Sequence, residues 1–401
     1  MNISDRMQKA SERLMAFCYG LCAVICISCF SQNDSLVSAC FYTSFFAVFY
    51  LFVRYSSSSV HNFSMELFAL IALSVINVVI NQLIAGTGMV GFDYFKKLIM
   101  FLTTVVFFYF VSYDAEISER TKKIILIITL AIAVLYMAFF WTNRSQCMLF
   151  HGRVSKYLTF GMTNPNLTGI YMLCIEVYCV IAIFRFKNWM ARLIALTLAG
   201  TSAYFLFLTN ARNALIALVL FYIMAAIMCI RKKPFGKVVT TLLLWYPLIF
   251  CVIYLMIIYN ERIIQVLSFL SSEGKTLDTR YDNWKNAFSI FSKTPIIGAY
   301  CEISNGTGMS QMLNTHLDVL ASYGIVVFAL FMRFLRKATL YVSGKTDNMQ
   351  NYIALAGFFA CIIAGSGEAA LVSGGTGIYI LIGGLLLFAQ NEMSIRNYRG
   401  D

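Results

Sequence analysis

Five short segments of this chain carry side chains that could do chemistry. Two of them, Thr209-Asn-Ala-Arg-Asn-Ala214 and Thr279-Arg-Tyr-Asp-Asn-Trp284, each present one arginine. A guanidinium is a rigid fork of donors that can grip a phosphate at two oxygens. Arg212 falls in a short turn between two apolar runs, at a membrane surface. There it either snorkels to lipid phosphate or serves a built phosphate site. Arg280 is either an ordinary ion-pair partner of Asp278 or Asp282, or a second phosphate ligand. The segment Leu313-Asn-Thr-His-Leu-Asp-Val-Leu-Ala-Ser-Tyr-Gly324 opens an apolar run with Asn314, His316 and Asp318. A histidine there is either structural or a general base near neutral pH. Glu368, in Gly365-Ser-Gly-Glu-Ala, is an ionisable group close to the membrane, which is a functional candidate or the balance for an arginine. Asn164 and Asn166 flank Pro165 in a pattern suited to a turn and helix N-cap.

Taken together, two arginines, one histidine and one or two carboxylates suit group transfer from a lipid-linked diphosphate. Arg212 and Arg280 would clamp the diphosphate and neutralise charge on it as it leaves. His316, Asp318 or Glu368 would activate an incoming sugar hydroxyl. No Asp-x-Asp cluster lies on that face, so the scheme calls for no divalent metal. The three histidines, His61, His151 and His316, are far apart, and a zinc site is not expected. Most of the twelve cysteines lie in or beside apolar runs, where they act as small hydrophobes. Cys147 and Cys301 fall in different outer loops and would be able to pair in an oxidising compartment.

The elements that must hold these groups are membrane helices. Of 401 residues, 60% are hydrophobic and 12% charged, and the mean hydropathy is +0.74. These values exclude a soluble globular domain and a disordered chain. The apolar runs are continuous rather than alternating, which argues against a β-barrel. At about 20 residues per crossing, the sequence predicts an all-α polytopic membrane protein with twelve spans. They fall near 14–30, 36–53, 65–85, 95–113, 123–141, 166–184, 189–208, 213–230, 238–258, 312–332, 352–366 and 374–390. The first run has basic flanks but no cleavage site, so it reads as a retained helix.

Placing both termini in the cytoplasm puts most of the 31 Lys and Arg on the inner side, as the positive-inside rule requires. The net charge of +12 is then topology, and nucleic acid is not implied. The cations left outside include Lys96, Lys97, Arg144, Arg153, Lys156 and Arg212. The remainder sit in a long outer loop, about 259–311, between spans nine and ten. Its acidic residues nearly cancel its basic ones. Within it Arg262–Leu270 reads as an interfacial helix. Arg280–Lys293 is amphipathic, with Tyr281, Trp284, Phe288 and Phe291 at helical spacing, ended by Pro295 and Gly298. The chain thus reads as one membrane domain, 1–401, with a helical lid at 259–311. Asn77, Asn81 and Gln82 in the third span are expected to make interhelical hydrogen bonds.

In their order and placement these motifs resemble the O-antigen ligase/polymerase superfamily, the Wzy-type polymerases and WaaL-type ligases, with a GT-C-like membrane fold. The resemblance rests on Asn164-Pro-Asn166, on Thr209-Asn-Ala-Arg212, and on Thr279-Arg280 followed by Trp284, Pro295 and Gly298. It rests also on Asn314-Thr-His-Leu-Asp318 with Tyr323-Gly324. It implies metal-independent, inverting transfer of a glycan from undecaprenyl diphosphate on the outer face of a bacterial cytoplasmic membrane, without a cofactor. Arg212 and Arg280 carry over as diphosphate binders. Asn164, Asn166, Asn210, Trp284 and Asn314 carry over as substrate contacts. The family commonly has His directly before Asn in span ten. Here that place is Leu313, and His316 lies two residues beyond Asn314. The Gly-x-Gly after the lid helix is altered to Gly298-Ala-Tyr300. The partners implied are the lipid-linked oligosaccharide, the bilayer, and a flippase and chain-length regulator of the same pathway. The diversity of the polymerases favours a polymerase. A ligase acting on lipid A–core or protein, and a transporter of lipid-linked sugar, remain as alternatives.

Overall fold

The computed structural model describes residues 12–24, 63–85, 92–114, 117–151, 155–160, 162, 164–258, 278–300, 313–369 and 377–391, with a few single positions before residue 50. In order, the described helices are α1 (12–24), α2 (Phe63–Ala85), α3 (Phe92–Tyr109, closed by a π-turn to Asp114), α4 (Glu119–Thr142), α5 (Pro165–Arg185), α6 (Trp189–Thr209), α7 (Arg212–Arg231), α8 (Lys237–Ile258), α9 (Asp278–Lys293), α10 (Thr315–Gly344), α11 (Met349–Ala364) and α12 (Ile378–Phe388). Eight of these, α2 to α8 and α10, are long and apolar enough to cross a membrane. They match eight of the twelve expected spans. The last two expected spans correspond to α11 and α12, at 16 and 11 residues. α12 is buried along its whole length and α11 from Asn351 onward. α1 covers 14–24 of the span expected at 14–30; the rest of that span, most of the span expected at 36–53 and the interfacial helix at 262–270 lie outside the described residues.

Local sequence explains where the helices start. Ser118, Asn164, Asn188, Asn314 and Asn348 each accept a backbone N–H of the first turn, at α4, α5, α6, α10 and α11. Such caps satisfy donors that a helix end would leave unpaired. Packing explains what each helix faces. α5 is buried almost throughout, between α6, α7 and α11. α6, α7 and α8 instead present large apolar side chains outward, such as Leu193, Phe207, Ile223 and Met256. Apolar surface of that kind fits a lipid environment.

Three features depart from the sequence reading. Met148–His151 and Ser155–Leu158 pair as an antiparallel hairpin, β1 and β2, a small exception to the all-α expectation. α10 runs to Gly344, well past 332, and Arg333 and Lys337 of the extension pair with Glu66 of α2. It is also broken, at Gly324 (φ 83°), into a buried half-helix Thr315–Tyr323 and a long second part.

That break is locked by the segment following α9. Gly298 also has positive φ, 73°. The two glycine backbones lie so close that a Cβ on Gly298 would stand 2.6 Å from the Gly324 nitrogen. Ala299 N donates to Ala321 O and Ile325 N to Pro295 O, both at 2.8 Å. α2 completes the joint. Asn77 Nδ2 donates to Tyr323 O (2.6 Å) and Asn81 Nδ2 to Ile297 O (3.2 Å). The expected interhelical bond is observed for Asn77, at a carbonyl of the helix break, whereas Asn81 bonds the segment following α9 and its own helix.

Candidate functional site

The start of α5, the turn between α6 and α7, the start of α10 and the segment 365–369 meet at one end of the bundle. Gly169 allows the first of these contacts. A Cβ there would stand 2.6 Å from Ala211 Cβ, so only glycine lets α5 approach the α6–α7 turn this closely. Asn210 shapes that turn. It caps α6 in the left-handed conformation (φ 53°), which asparagine tolerates, and its side chain is exposed. Thr209 Oγ1 then accepts Ala211 N at 3.2 Å. Arg212 follows as the first residue of α7. It is exposed and makes no hydrogen bond or ion pair among the described residues. No side chain caps the N-terminus of α7.

Beside that N-terminus lies a small cleft lined by Asn166, Ile170, Ala211, Asn213, Ala214, Ala364, Gly367 and Glu368. Glu368 is 2% exposed. Its carboxylate accepts Asn164 Nδ2 at 3.0 Å and Asn166 Nδ2 at 2.7 Å, one on each oxygen. Gly367 makes room for Asn213, whose Nδ2 lies 3.4 Å from Ser366 Oγ.

The backbone that presents Glu368 is held by α10. Thr315 N donates to Gly365 O (3.0 Å) and Thr315 Oγ1 to Glu368 O (3.1 Å). Asn314 Nδ2 donates to Ser366 O (3.2 Å) and to Pro247 O (2.8 Å). Asn314 Oδ1 meanwhile caps α10 through His316 N and Leu317 N. Leu313, just before, takes a left-handed conformation (φ 48°), which is costly for a bulky residue.

His316 faces the other way, toward α8. Its Nε2 lies 2.7 Å from Leu244 O. A carbonyl only accepts, so Nε2 carries the proton. Pro247 lies inside α8 and disturbs the carbonyls one turn before it, and His316 and Asn314 satisfy backbone on either side of that disturbance. His316 is fully buried against Phe328 and Phe331, with Nδ1 unpartnered among the described residues. Asp318 is also fully buried and pairs with Lys97 of α3.

The amphipathic helix expected at 280–293 is α9, which begins at Asp278. Arg280 lies in its first turn, on the backbone as expected. Trp284 is fully buried, edge-on to Phe250 (6.1 Å) and Tyr254 (5.1 Å) of α8. It therefore anchors the lid and does not line the cleft. The structure thus unites Asn164, Asn166, Asn314 and Glu368 near Arg212. It sets His316, Asp318 and Trp284 against neighbouring helices. Asn213 and Thr315 were missed by the sequence reading. Their only signal was adjacency to Arg212 and Asn314.

Cys147 is a free, buried thiol, and burial pushes its pKa up to about 11. Its candidate partner Cys301 lies outside the described residues. Among the described residues, no group of three or more His, Cys, Asp and Glu is placed to hold a metal ion.

The family model for O-antigen ligase matches residues 196–332, from within α6 through the first part of α10. The match supports the O-antigen ligase/polymerase superfamily, and it includes Asn210, Arg212, Arg280, Trp284, Asn314, His316 and Asp318. Asn164, Asn166 and Glu368 lie outside it and reach the site by folding. No curated protein and no solved structure matches the chain.

Proposed function

We propose that the protein is a surface-polysaccharide polymerase, transferring a growing glycan from undecaprenyl diphosphate to a lipid-linked repeat unit without a metal. The observation that carries this reading is one juxtaposition. The buried Glu368 carboxylate shares a cleft with the start of α7, where Arg212 stands exposed and has no partner among the described residues. Unsatisfied backbone N–H groups and an arginine make a setting for a diphosphate. Arg280, from the lid, is the second ligand in this proposal. Glu368 accepts the proton of the attacking hydroxyl, and Asn164 and Asn166 fix its orientation. Asn210 shapes the turn that carries Arg212, and Asn314 fixes the backbone of the Glu368 segment. Trp284 seats the lid on α8. His316 and Asp318 remain in the proposal as alternative bases.

The site faces the extracytoplasmic side of a bacterial cytoplasmic membrane, with both termini in the cytoplasm. The excess of Lys and Arg at the opposite end supports that orientation. A flippase and a chain-length regulator are the proposed pathway partners. The second reading is a ligase acting on lipid A–core or a protein; the family matched at residues 196–332 is described as O-antigen ligase and is compatible with either acceptor.

The test uses purified protein in nanodiscs with one lipid-linked repeat unit, with and without chelator. A chelator-insensitive ladder supports the polymerase. Transfer only after adding a core-lipid or protein acceptor makes it a ligase. No transfer to any acceptor from an authentic donor overturns both readings in favour of a transporter. Arg212→Ala and Arg280→Ala are each expected to remove product while the protein stays in the membrane. Wild-type product from either variant removes that arginine from the site.

A further inference from the structure

Lys97 plays no part in the scheme above, yet it makes the most enclosed ion pair among the described residues. Its side chain is 12% exposed and that of its partner Asp318 is fully buried. Lys97 Nζ also donates to Ser322 Oγ at 2.9 Å, and Ser322 Oγ donates to the same Asp318 oxygen at 3.1 Å. Asp318 and Ser322 are four residues apart, on one face of the half-helix Thr315–Tyr323. Three groups from two helices therefore close a ring inside the protein. Breaking such a pair by removing one partner strands a buried charge, which makes its geometry hard to relax.

What this half-helix holds gives the ring its consequence. At its N-terminal end, Asn314 and Thr315 make two side-chain hydrogen bonds, to Ser366 O and Glu368 O, and one backbone bond, to Gly365 O. At its other end, the Gly324 break removes the rigid continuity that a longer helix would provide. A nine-residue piece without that continuity needs another element to fix its rotation about its axis. α3 supplies it. Phe101 stacks on Tyr323 with ring centroids 4.7 Å apart, and Leu98 N donates to Tyr300 Oη at 3.0 Å. Lys97 supplies the polar contact in the middle of the piece.

We propose that Lys97 is a positioning residue of the catalytic site: by gripping Asp318 and Ser322 it fixes the half-helix whose start holds the backbone of Gly365–Glu368. It touches neither donor nor acceptor, and it acts through α10. This inference rests on Glu368 being the functional carboxylate. The Arg212 turn, between α6 and α7, takes no part in the ring that Lys97 closes with Asp318 and Ser322. Loss of Lys97 is thus expected to lower turnover while leaving the donor KM close to that of the wild-type protein.

The experiment compares Lys97→Met, Lys97→Arg, Ser322→Ala and the neutral pair Lys97→Met with Asp318→Asn, all in nanodiscs. Two readouts are taken: steady-state transfer from the lipid-linked donor, and hydrogen exchange of the peptide covering 361–369. Lys97→Met is expected to lower kcat at least tenfold with donor KM changed less than threefold, and to speed exchange in 361–369 at least tenfold. Lys97→Arg is expected to retain most of both properties. Should Lys97→Met not fold, Ser322→Ala and the neutral pair carry the test, with smaller effects in the same direction. Wild-type exchange in 361–369 together with wild-type kcat in the folded variants overturns the proposal. Faster exchange, with Glu368→Gln keeping wild-type turnover, instead locates the failure in the functional reading, because exchange is read without activity.

Discussion

Replacing Glu368 by glutamine tests the proposed chemistry with the smallest change of shape. The carboxylate accepts one amide N–H on each oxygen, from Asn164 and Asn166. Glutamine keeps one oxygen and turns the other into an NH2 that faces a donor. One charge-assisted bond is then lost and the other becomes neutral. Bonds to charged groups contribute roughly 1.5–3 kcal/mol and neutral ones about 0.5–1.5 kcal/mol. The expected destabilisation is therefore about 3 kcal/mol, reduced if either asparagine flips its amide. Loss of a general base lowers turnover by about 10²- to 10⁴-fold. The two effects separate in the assay. Thermal unfolding in nanodiscs reads the first. Single-turnover transfer from a lipid-linked donor, measured well below the unfolding range, reads the second. Asn164→Ala and Asn166→Ala serve as controls, since each removes one bond to the carboxylate and leaves the base. They are expected to cost stability comparably but to lower turnover far less than Glu368→Gln. Folded Glu368→Gln protein with wild-type single-turnover rate would refute the reasoning and leave Glu368 as the tie between α5 and the 365–369 segment.

Three further outcomes follow from packing and from one thiol. Gly298→Ala and Gly324→Ala each place a Cβ against opposing backbone at positive φ, so each is expected to destabilise by more than about 2 kcal/mol, seen as a lowered unfolding midpoint or loss of folded protein. Wild-type midpoints would show that the joint is not tight. Gly169→Ala pushes Ala211 away from α5. It is expected to raise the donor KM more than it lowers kcat, as read by transfer kinetics over a donor series. Cys147, with its thiol pushed up to about 11 by burial, is expected to be about one part in a thousand thiolate at pH 8 and to label slowly with maleimide until the protein is unfolded. Rapid labelling of Cys147 in the folded protein would contradict its burial.

Much of this protein follows from the sequence because the forces involved are local. Apolar runs of sufficient length must become helices in lipid, where each backbone group has to be satisfied within its own segment. Eight spans from Met65 to Gly344 were legible for that reason. So was the start of α5, since an asparagine cap acts within three residues of itself. The amphipathic spacing of Trp284, Phe288 and Phe291 likewise marked α9 in advance. Arg212 was legible as a surface cation because the turn holding it is short.

Only the tertiary structure decided which polar groups share a site. Asn164 and Asn166 meet Glu368 across more than 200 residues of chain. No periodicity records that distance, since helix pairing in lipid is set by small residues and interhelical hydrogen bonds at particular depths. The same holds for His316. Its type and position suit a base, yet the opening of α8 at Pro247 draws its Nε2–H to Leu244 O. Asp318 looked alike in the sequence, and its partner Lys97 comes from a helix more than 200 residues earlier. Composition and capping act over a few residues and so can be read along the chain. Which side chain faces which depends on how the helices pack, and that is fixed by close approaches such as Gly169 to Ala211 and Gly298 to Gly324.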